Sequence, residues 1–180
     1  MNEEIEINEL FSVFGQPTPI HQIVSGDLVP EPYRSLLVHP NHMTLAVEHY
    51  YHGPVNVRVL QRHNDGKRYA RLIVLERASD RLIVQFGIMR IRLNDCPEPV
   101  RHTILAEDTP LGRILIEHNV MRRIEPTAFM HIELEPPLAT WLEQTGTTYG
   151  RLGYIHVNNK PAVELVEILT PIRPLPRGGS

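Results

Sequence analysis

Residues 55–93 decide the fold, and they read VNVRVLQRHNDGKRYARLIVLERASDRLIVQFGIMRIRL. The valines at positions 55, 57 and 59 alternate with polar residues, which is the period of a half-buried strand. Residues 64–67, NDGK, have the composition of a tight hairpin turn, and a return strand follows at Tyr69–Arg77. After a second turn, a third strand is predicted from about Leu82 to Leu93. Short turns join antiparallel neighbours, so these strands are expected to be antiparallel.

The rest of the chain adds a second clear hairpin and several short helices. The hairpin strands lie at residues 148–157 and 161–169, and residues 121–135 are also extended. Short helices are predicted at residues 5–14, 33–38, 41–52 and 137–145, and another begins near Asp108. About six strands with three to five helices predict an α+β fold, in which helices cover one face of a single antiparallel sheet.

Proline and glycine divide the chain into three parts. Residues 1–32 are predicted to be an N-terminal extension, a helix followed by a loop, because glycine and proline interrupt residues 15–32. Residues 33–171 form the predicted domain. The tail, residues 172–180, is rich in proline, glycine and arginine and is predicted to be disordered.

Composition excludes several classes of protein. The 180 residues carry a net charge of −3 and one cysteine, so neither a general basic surface for nucleic acid nor an internal disulfide is expected. No apolar run approaches the ~18 residues of a membrane-spanning helix, and the first residues are acidic where a signal peptide is basic. We therefore expect a cytoplasmic protein without a membrane or nucleic-acid partner, either a monomer or a homodimer.

Ten histidines raise the question of a metal site. Two pairs have helical spacing, His39 with His42 and His49 with His52. A zinc site needs three or four ligands, and neither a cysteine pair nor a His-Glu-x-x-His motif supplies them. These histidines are therefore expected to be solvated or to cap helix ends, and no metal is predicted.

Charged residues in apolar strands are better candidates for chemistry. Arg71 shares a strand face with Ile73 and Leu75, and a buried guanidinium needs an anionic or carbonyl partner, from the chain or from a ligand. Arg90 repeats the pattern in the third strand. In the last strand, Glu167 shares a face with Leu165, and Glu164 lies on the other.

The stretch Thr109-Pro110-Leu111-Gly112 is a predicted helix start, with proline at the first helical position. Free backbone N–H groups and the helix dipole favour an anion there, and Gly112 lets a ligand come close. Either buried glutamate suits a general acid, or forms an internal ion pair. Together, the arginines, the helix start and a glutamate could hold a small aromatic or cyclic dicarboxylate.

Over residues 33–171 the chain resembles the chorismate pyruvate-lyase family, whose members make 4-hydroxybenzoate, and most of all its divergent bacterial and archaeal branch. The most specific match is residues 109–113, TPLGR, and residues 69–71, YAR, match the aromatic-x-Arg on the second strand. Met43 falls on the methionine whose backbone touches the ligand. Glu167 matches the glutamate that faces the ligand hydroxyl, although the count from Lys160 leaves Glu164 as a rival.

The resemblance implies a carbon–oxygen lyase that eliminates pyruvate from chorismate without a cofactor. Arg71 would bind the ring carboxylate, aided by the backbone of Met43 or Leu111, with Gly112 beside it. Glu167 would donate a proton to the ether oxygen. Some family members carry an arginine where this chain has Ile88, and Arg90, two residues on, would then neutralise the enolpyruvyl carboxylate.

The same fold also occurs as the ligand-sensing domain of transcription regulators, which binds a small molecule and catalyses nothing. A non-catalytic domain that binds an aromatic acid is therefore the alternative prediction.

Overall fold

The computed structural model describes residues 6–172. Its strands are β1 (His21–Val24), β2 (Val55–Asn64), β3 (Tyr69–Arg77), β4 (Ile83–Ile91), β5 (Arg122–Leu134), β6 (Gly146–Val157) and β7 (Lys160–Leu169). Its α-helices are α1 (Ile7–Ser12), α2 (Tyr33–Leu37), α3 (Met43–Tyr51), α4 (Glu98–Ala106), α5 (Leu111–Glu117) and α6 (Leu138–Leu142).

The strands form one antiparallel sheet in the order β1-β5-β6-β7-β4-β3-β2. Two runs of neighbouring strands build it, β2–β3–β4 and β5–β6–β7, and β4 pairs with β7 to join them. In the turn between β2 and β3, Gly66 has φ +84°, and the Asn64 and Asp65 side chains accept backbone N–H bonds. These residues form the turn because glycine tolerates positive φ and asparagine and aspartate bond their own backbone.

Each face of the sheet is buried under helices. The first face, which carries Ile73 and Leu165, packs against α2, α3, α4 and α5. The second face, which carries Val74 and Val166, packs against α1 and α6. Central strands buried on both faces read as continuous apolar runs rather than as alternating ones, which explains the composition of β3 and β4.

The predicted fold class, α+β with one antiparallel sheet, is confirmed. The structure adds a seventh strand, β1, in a stretch predicted to be loop, and β1 pairs with β5 at the sheet edge. It also adds helix α4. The expectation that helices cover only one face is wrong, because the helices predicted at residues 5–14 and 137–145, α1 and α6, pack on the second face. Residues 7–24 thus pack onto the sheet, and the predicted disordered tail lies, from residue 173, outside the described residues.

Candidate functional site

A small, partly enclosed cavity of about 30 Å³ lies on the first face, between the sheet and the starts of α3 and α5. One water molecule needs about 10–15 Å³, so this volume holds about two. The helix starts line it with His42, Met43, Thr44, Pro110, Leu111 and Gly112. The sheet lines it with Arg71, Ile73, Leu75, Gln85, Met89, Ile155, Leu165 and Glu167.

The floor of the cavity follows the register of β3, β4 and β7. Three cross-strand rows lie there, Arg71–Met89–Leu165, Ile73–Gly87–Glu167 and Leu75–Gln85–Leu169. Successive rows are about 6.8 Å apart along an antiparallel strand. The ladder is regular at Gly87, and the irregularity of this strand pair lies between Leu75 and Glu76. Gly87 simply leaves the middle of the floor without a side chain.

Arg71 is fully buried. Its Nη2 donates to the Thr109 carbonyl oxygen at 3.3 Å, its Nε lies 3.5 Å from the Met89 sulfur, and its Nη1 has no hydrogen-bond partner within residues 6–172. Burial lowers the pKa of Arg71, while nearby Tyr69 and Glu107 act in the other direction. Among residues 6–172, no carboxylate forms an ion pair with this guanidinium. Because buried guanidinium groups need anionic or carbonyl partners, Arg71 is suited to an anion from outside the chain.

Glu167 contacts a second buried arginine, Arg151. The Nε of Arg151 donates to Glu167 Oε2 at 2.7 Å. Its Nη1 donates to the carbonyl oxygens of Leu37 and His39 at 3.1 and 2.9 Å, and its Nη2 to that of Asn41 at 3.0 Å. All three nitrogens of Arg151 therefore have partners, and they fasten the loop before α3 to the sheet.

His42, the residue before α3, closes one side of the cavity. Arg122 Nε donates to His42 Nε2 at 2.8 Å, so the ring proton resides on Nδ1. Burial, and then the charges of Arg122 and Arg151, lower the pKa of His42 to about 4. Gly112 packs against this ring, since a Cβ there would lie 3.0 Å from His42 Cβ and 3.1 Å from Thr44 Oγ1. The absence of a side chain at Gly112 thus lets the two helix starts meet over the cavity.

The structure brings most of the predicted site residues together. Those that line the one cavity are Met43, Arg71, Leu111, Gly112 and Glu167. Register also separates the two candidate glutamates, because Glu167 lies opposite Gly87 and lines the cavity, whereas Glu164 lies opposite Arg90. The roles of these residues toward a ligand remain predictions.

Arg90 is the exception, and its predicted role in this site is wrong. Side chains of successive strand residues point to opposite faces, and Arg90 follows Met89, which lines the cavity. Arg90 therefore lies on the second face, where it pairs with Glu164 and, at 3.3 Å, with Glu9. Its charge is satisfied within the chain and away from Arg71.

Sequence reasoning missed the contribution of Gln85, and it gave Arg151 and His42 no role in the site. Gln85 is 2% exposed, and no group in the described part of the chain forms a hydrogen bond with its Oε1. A polar residue inside an apolar run was the available signal, the same one that singled out Arg71. Arg151 lies in such a run as well, but only the structure shows that its partner is Glu167.

The histidine pairs do not converge on a metal site. Within residues 6–172 no three His, Cys, Asp or Glu side chains are close enough to hold an ion. His52 ends α3 in the left-handed conformation, as a helix-end role predicts, whereas His42 is buried against Arg122. None of the helices in the same residues has the length and apolar content that crossing a bilayer requires.

Comparison with known proteins identifies the fold. No family model matches the chain, and no curated protein matches it in sequence. Among solved structures, PhnF from Mycobacterium smegmatis is similar over 72% of this chain and 64% of its own, with a TM-score of 0.54 and 11% identity.

Two other solved structures are similar at lower scores. A domain described as the ligand-binding domain of a GntR-family transcriptional regulator from Bordetella bronchiseptica matches over 64% of this chain and 85% of its own, with a TM-score of 0.49 and 11% identity. A gene product from Staphylococcus aureus matches over 64% and 82%, with a TM-score of 0.48 and 10% identity. At these identities the likeness concerns the fold, which is the chorismate lyase-like fold that the sequence resemblance implies.

Proposed function

We propose that this chain is a small-molecule binding module that takes an organic carboxylate into the cavity beside Arg71. One observation carries the proposal: Arg71 is fully buried, its Nη1 has no partner, and no carboxylate of residues 6–172 pairs with it. A ligand carboxylate would supply the missing charge, and it would supply two acceptor oxygens that match the guanidinium geometry.

The size of the cavity supports a binding event that moves structure. Its 30 Å³ is far below the roughly 300–1,000 Å³ of sites that hold drug-sized ligands. A carboxylic acid of several carbons therefore enters only when the starts of α3 and α5 separate, which breaks the contact between Gly112 and His42. A ligand that binds the separated state better shifts the population toward it, which is the property a sensing domain needs.

The contacts of Glu167 favour binding over catalysis. Its Oε2 accepts a hydrogen bond from Arg151 Nε, so this oxygen acts as an acceptor. A lyase step at an ether oxygen needs a carboxyl group that donates a proton to the substrate. In this arrangement Glu167 instead anchors Arg151 and the loop before α3.

Chorismate lyase activity is the second candidate function. The observation that favours it is the convergence on one cavity of Met43, Arg71, Leu111, Gly112 and Glu167, which the family resemblance assigns to the substrate. In this proposal Arg71 holds the ring carboxylate of chorismate, and Glu167 protonates the ether oxygen from Oε1, since Oε2 accepts from Arg151. Breakage of that C–O bond with loss of the C4 hydrogen yields pyruvate and 4-hydroxybenzoate, and aromatisation drives the reaction without a cofactor.

Calorimetric titration with small carboxylic acids tests the binding function. Wild-type protein is expected to bind at least one such acid, and Arg71→Met is expected to lose at least tenfold in affinity because the charge partner is gone. Arg90→Met is the control, since it removes a partly buried arginine of the neighbouring strand from the other face of the sheet. Equal loss of affinity in both variants, or none in either, overturns the proposal.

Incubation of the protein with chorismate separates the two functions. Formation of pyruvate and 4-hydroxybenzoate in equal amounts, abolished in Glu167→Gln, establishes the lyase. Binding of chorismate or another acid without turnover establishes the binding module.

A further inference from the structure

Gln85 is the second polar group of the cavity that lacks a partner. The residue is 2% exposed, its Oε1 has no hydrogen-bond partner among the described residues 6–172, and it lines the same cavity as Arg71. Buried polar atoms are satisfied in the large majority of cases, so an orphaned amide oxygen in a residue that lines a cavity needs an explanation.

Arg71 and Gln85 lie at opposite ends of the cavity floor. Arg71 belongs to the row of Met89, and Gln85 belongs to the row of Leu75, two rows further along the strands. The Cα positions of these rows are about 13.5 Å apart, from a rise of about 3.4 Å per residue. Gly87 occupies the row between them and contributes no side chain. The cavity therefore offers hydrogen-bond donors at one end and an acceptor at the other.

We propose that Gln85 is a specificity-determining residue, and that the ligand carries a hydrogen-bond donor, a hydroxyl or amino group, at the end opposite its carboxylate. This inference rests on the proposed binding function, because Arg71 must hold the carboxylate for the ligand to lie in this direction. The donor of the ligand bonds Gln85 Oε1, and the apolar side chains between the two ends contact its carbon frame.

The chemistry of Gln85 explains why the donor matters. A ligand without a donor leaves the amide oxygen buried and unpaired, and sites built around a hydrogen bond reject such analogues strongly. Glu167 does not serve this purpose through Oε2, since that oxygen already accepts from Arg151. Gln85 Oε1, by contrast, has no hydrogen-bond partner among residues 6–172.

Matched pairs of acids test the inference by calorimetry. 4-Aminobenzoate and 4-methylbenzoate differ only in donor against methyl, and 6-hydroxyhexanoate and heptanoate repeat the comparison on a flexible chain. Wild-type protein is expected to bind the donor member of a pair at least tenfold more tightly. Gln85→Leu keeps the size of the side chain and is expected to bind both members equally.

The outcomes separate this inference from the function on which it rests. Equal binding of both members by wild-type protein, with loss in Arg71→Met, overturns the role of Gln85 and leaves the binding function intact. A preference for the donor that persists in Gln85→Leu also overturns it. Absence of binding by every acid overturns both.

The thermal unfolding temperature of the ligand-free protein provides a second test of the role of Gln85. Because Oε1 is unpartnered, Gln85→Leu is expected to raise Tm by a few degrees, whereas an amide with a structural hydrogen bond lowers Tm when it is removed. Thr170→Val is the control, since the Thr170 hydroxyl is also buried and unpartnered but lies outside the cavity. It is expected to leave the donor preference unchanged. A fall in Tm for Gln85→Leu overturns the inference.

Discussion

Arg71 and Arg151 are both fully buried arginines on the first face of the sheet, and they differ in what surrounds them. Arg151 bonds Glu167 and three backbone carbonyls, whereas Arg71 has a single carbonyl and a sulfur atom. Removal of one member of a buried ion pair leaves the other charge buried without a partner, but removal of an arginine that has no ion-pair partner leaves no such charge behind.

This contrast predicts opposite effects on stability. Arg151→Met is expected to lower the free energy of unfolding by about 3–5 kcal/mol, because Glu167 is left buried without its partner. Arg71→Met is expected to be neutral or to stabilise by about 1–3 kcal/mol. Urea unfolding of the ligand-free proteins measures both. A large loss in Arg71→Met would show that Arg71 is a structural residue.

His42 predicts how stability depends on pH. Its pKa is lowered from 6.5 to about 4 in the folded protein, so between these values the unfolded chain binds a proton that the folded chain does not. Its contribution is complete above pH 6.5 and is lost as the pH falls to about 4, by about 3 kcal/mol. The urea midpoint should therefore fall from pH 7.5 to pH 4.5.

The variant His42→Gln isolates this effect. His39 also has a lowered pKa, so the stability of the variant still falls with pH. The pH dependence of wild-type protein is therefore compared with that of the variant. The variant is expected to lose less stability over the same pH range. Equal losses would remove His42 from the explanation.

For single residues, the sequence predicted the strand face on which a side chain lies better than it predicted the ion-pair partner of that side chain. Alternation along β3 and β7 correctly gave the residues that share a face with Arg71 and with Glu167 in their own strands, and the structure shows that both faces line one cavity. It could not show that Glu167 pairs with Arg151, because that contact depends on the register of β6 against β7. For Arg90, the pattern correctly gave the residues that share its face of β4. Whether that face is also the face that carries Arg71 depends on the register between β3 and β4.

In strand β4, a substitution at Gly87 distinguishes an effect on the stability of the strand from an effect on ligand binding in the cavity. A Cβ at Gly87 would lie 3.5 Å from the Val166 carbonyl oxygen, which is ordinary contact. Gly87→Ala is therefore expected to stabilise the protein by about 0.4–1 kcal/mol, since alanine has less freedom in the unfolded chain. The same methyl group reduces the space above the floor, and ligand affinity is expected to fall. Thermal unfolding and calorimetry measure the two effects.

Gly150 in β6 is the control for this substitution. A Cβ there would lie 2.7 Å from the Glu167 carbonyl oxygen, and the backbone would have to move to relieve this clash. Gly150→Ala is expected to destabilise the protein. Loss of stability in Gly87→Ala as well would show that the strand, and not the cavity, requires glycine at position 87.

Element prediction succeeded where a pattern was long and failed where it was short. Strands β3 and β7 carry many apolar residues, and turn-forming residues clearly mark the turns beside them. Strand β1 has only His21–Val24 between loops, and its pairing with β5 is a tertiary contact that leaves little trace in four residues. Helix α4 begins directly after Pro97, and the proline-rich break concealed Val100 and Ile104, which have helical spacing.

At the scale of the whole molecule, stability is expected to be uneven across the sheet. Strands β4 and β7 are central and buried on both faces, whereas β1 is a short edge strand. Central strands exchange their amide hydrogens only on global unfolding, and edges exchange by local opening. Hydrogen exchange is therefore expected to be slowest in β4 and β7 and fastest in β1. Uniform exchange rates would contradict this order.

The pairing of β4 with β7 has a kinetic consequence. Each three-strand run forms from contacts that are near in sequence, whereas residues 85–91 meet residues 163–169 only when a long stretch of chain is closed. Arg71 and Gln85 belong to one run and Glu167 to the other, so the cavity does not exist until the runs have joined. If the runs join after the folding transition state, a ligand stabilises only the native side of that barrier. It then slows the rate of unfolding and leaves the rate of folding unchanged.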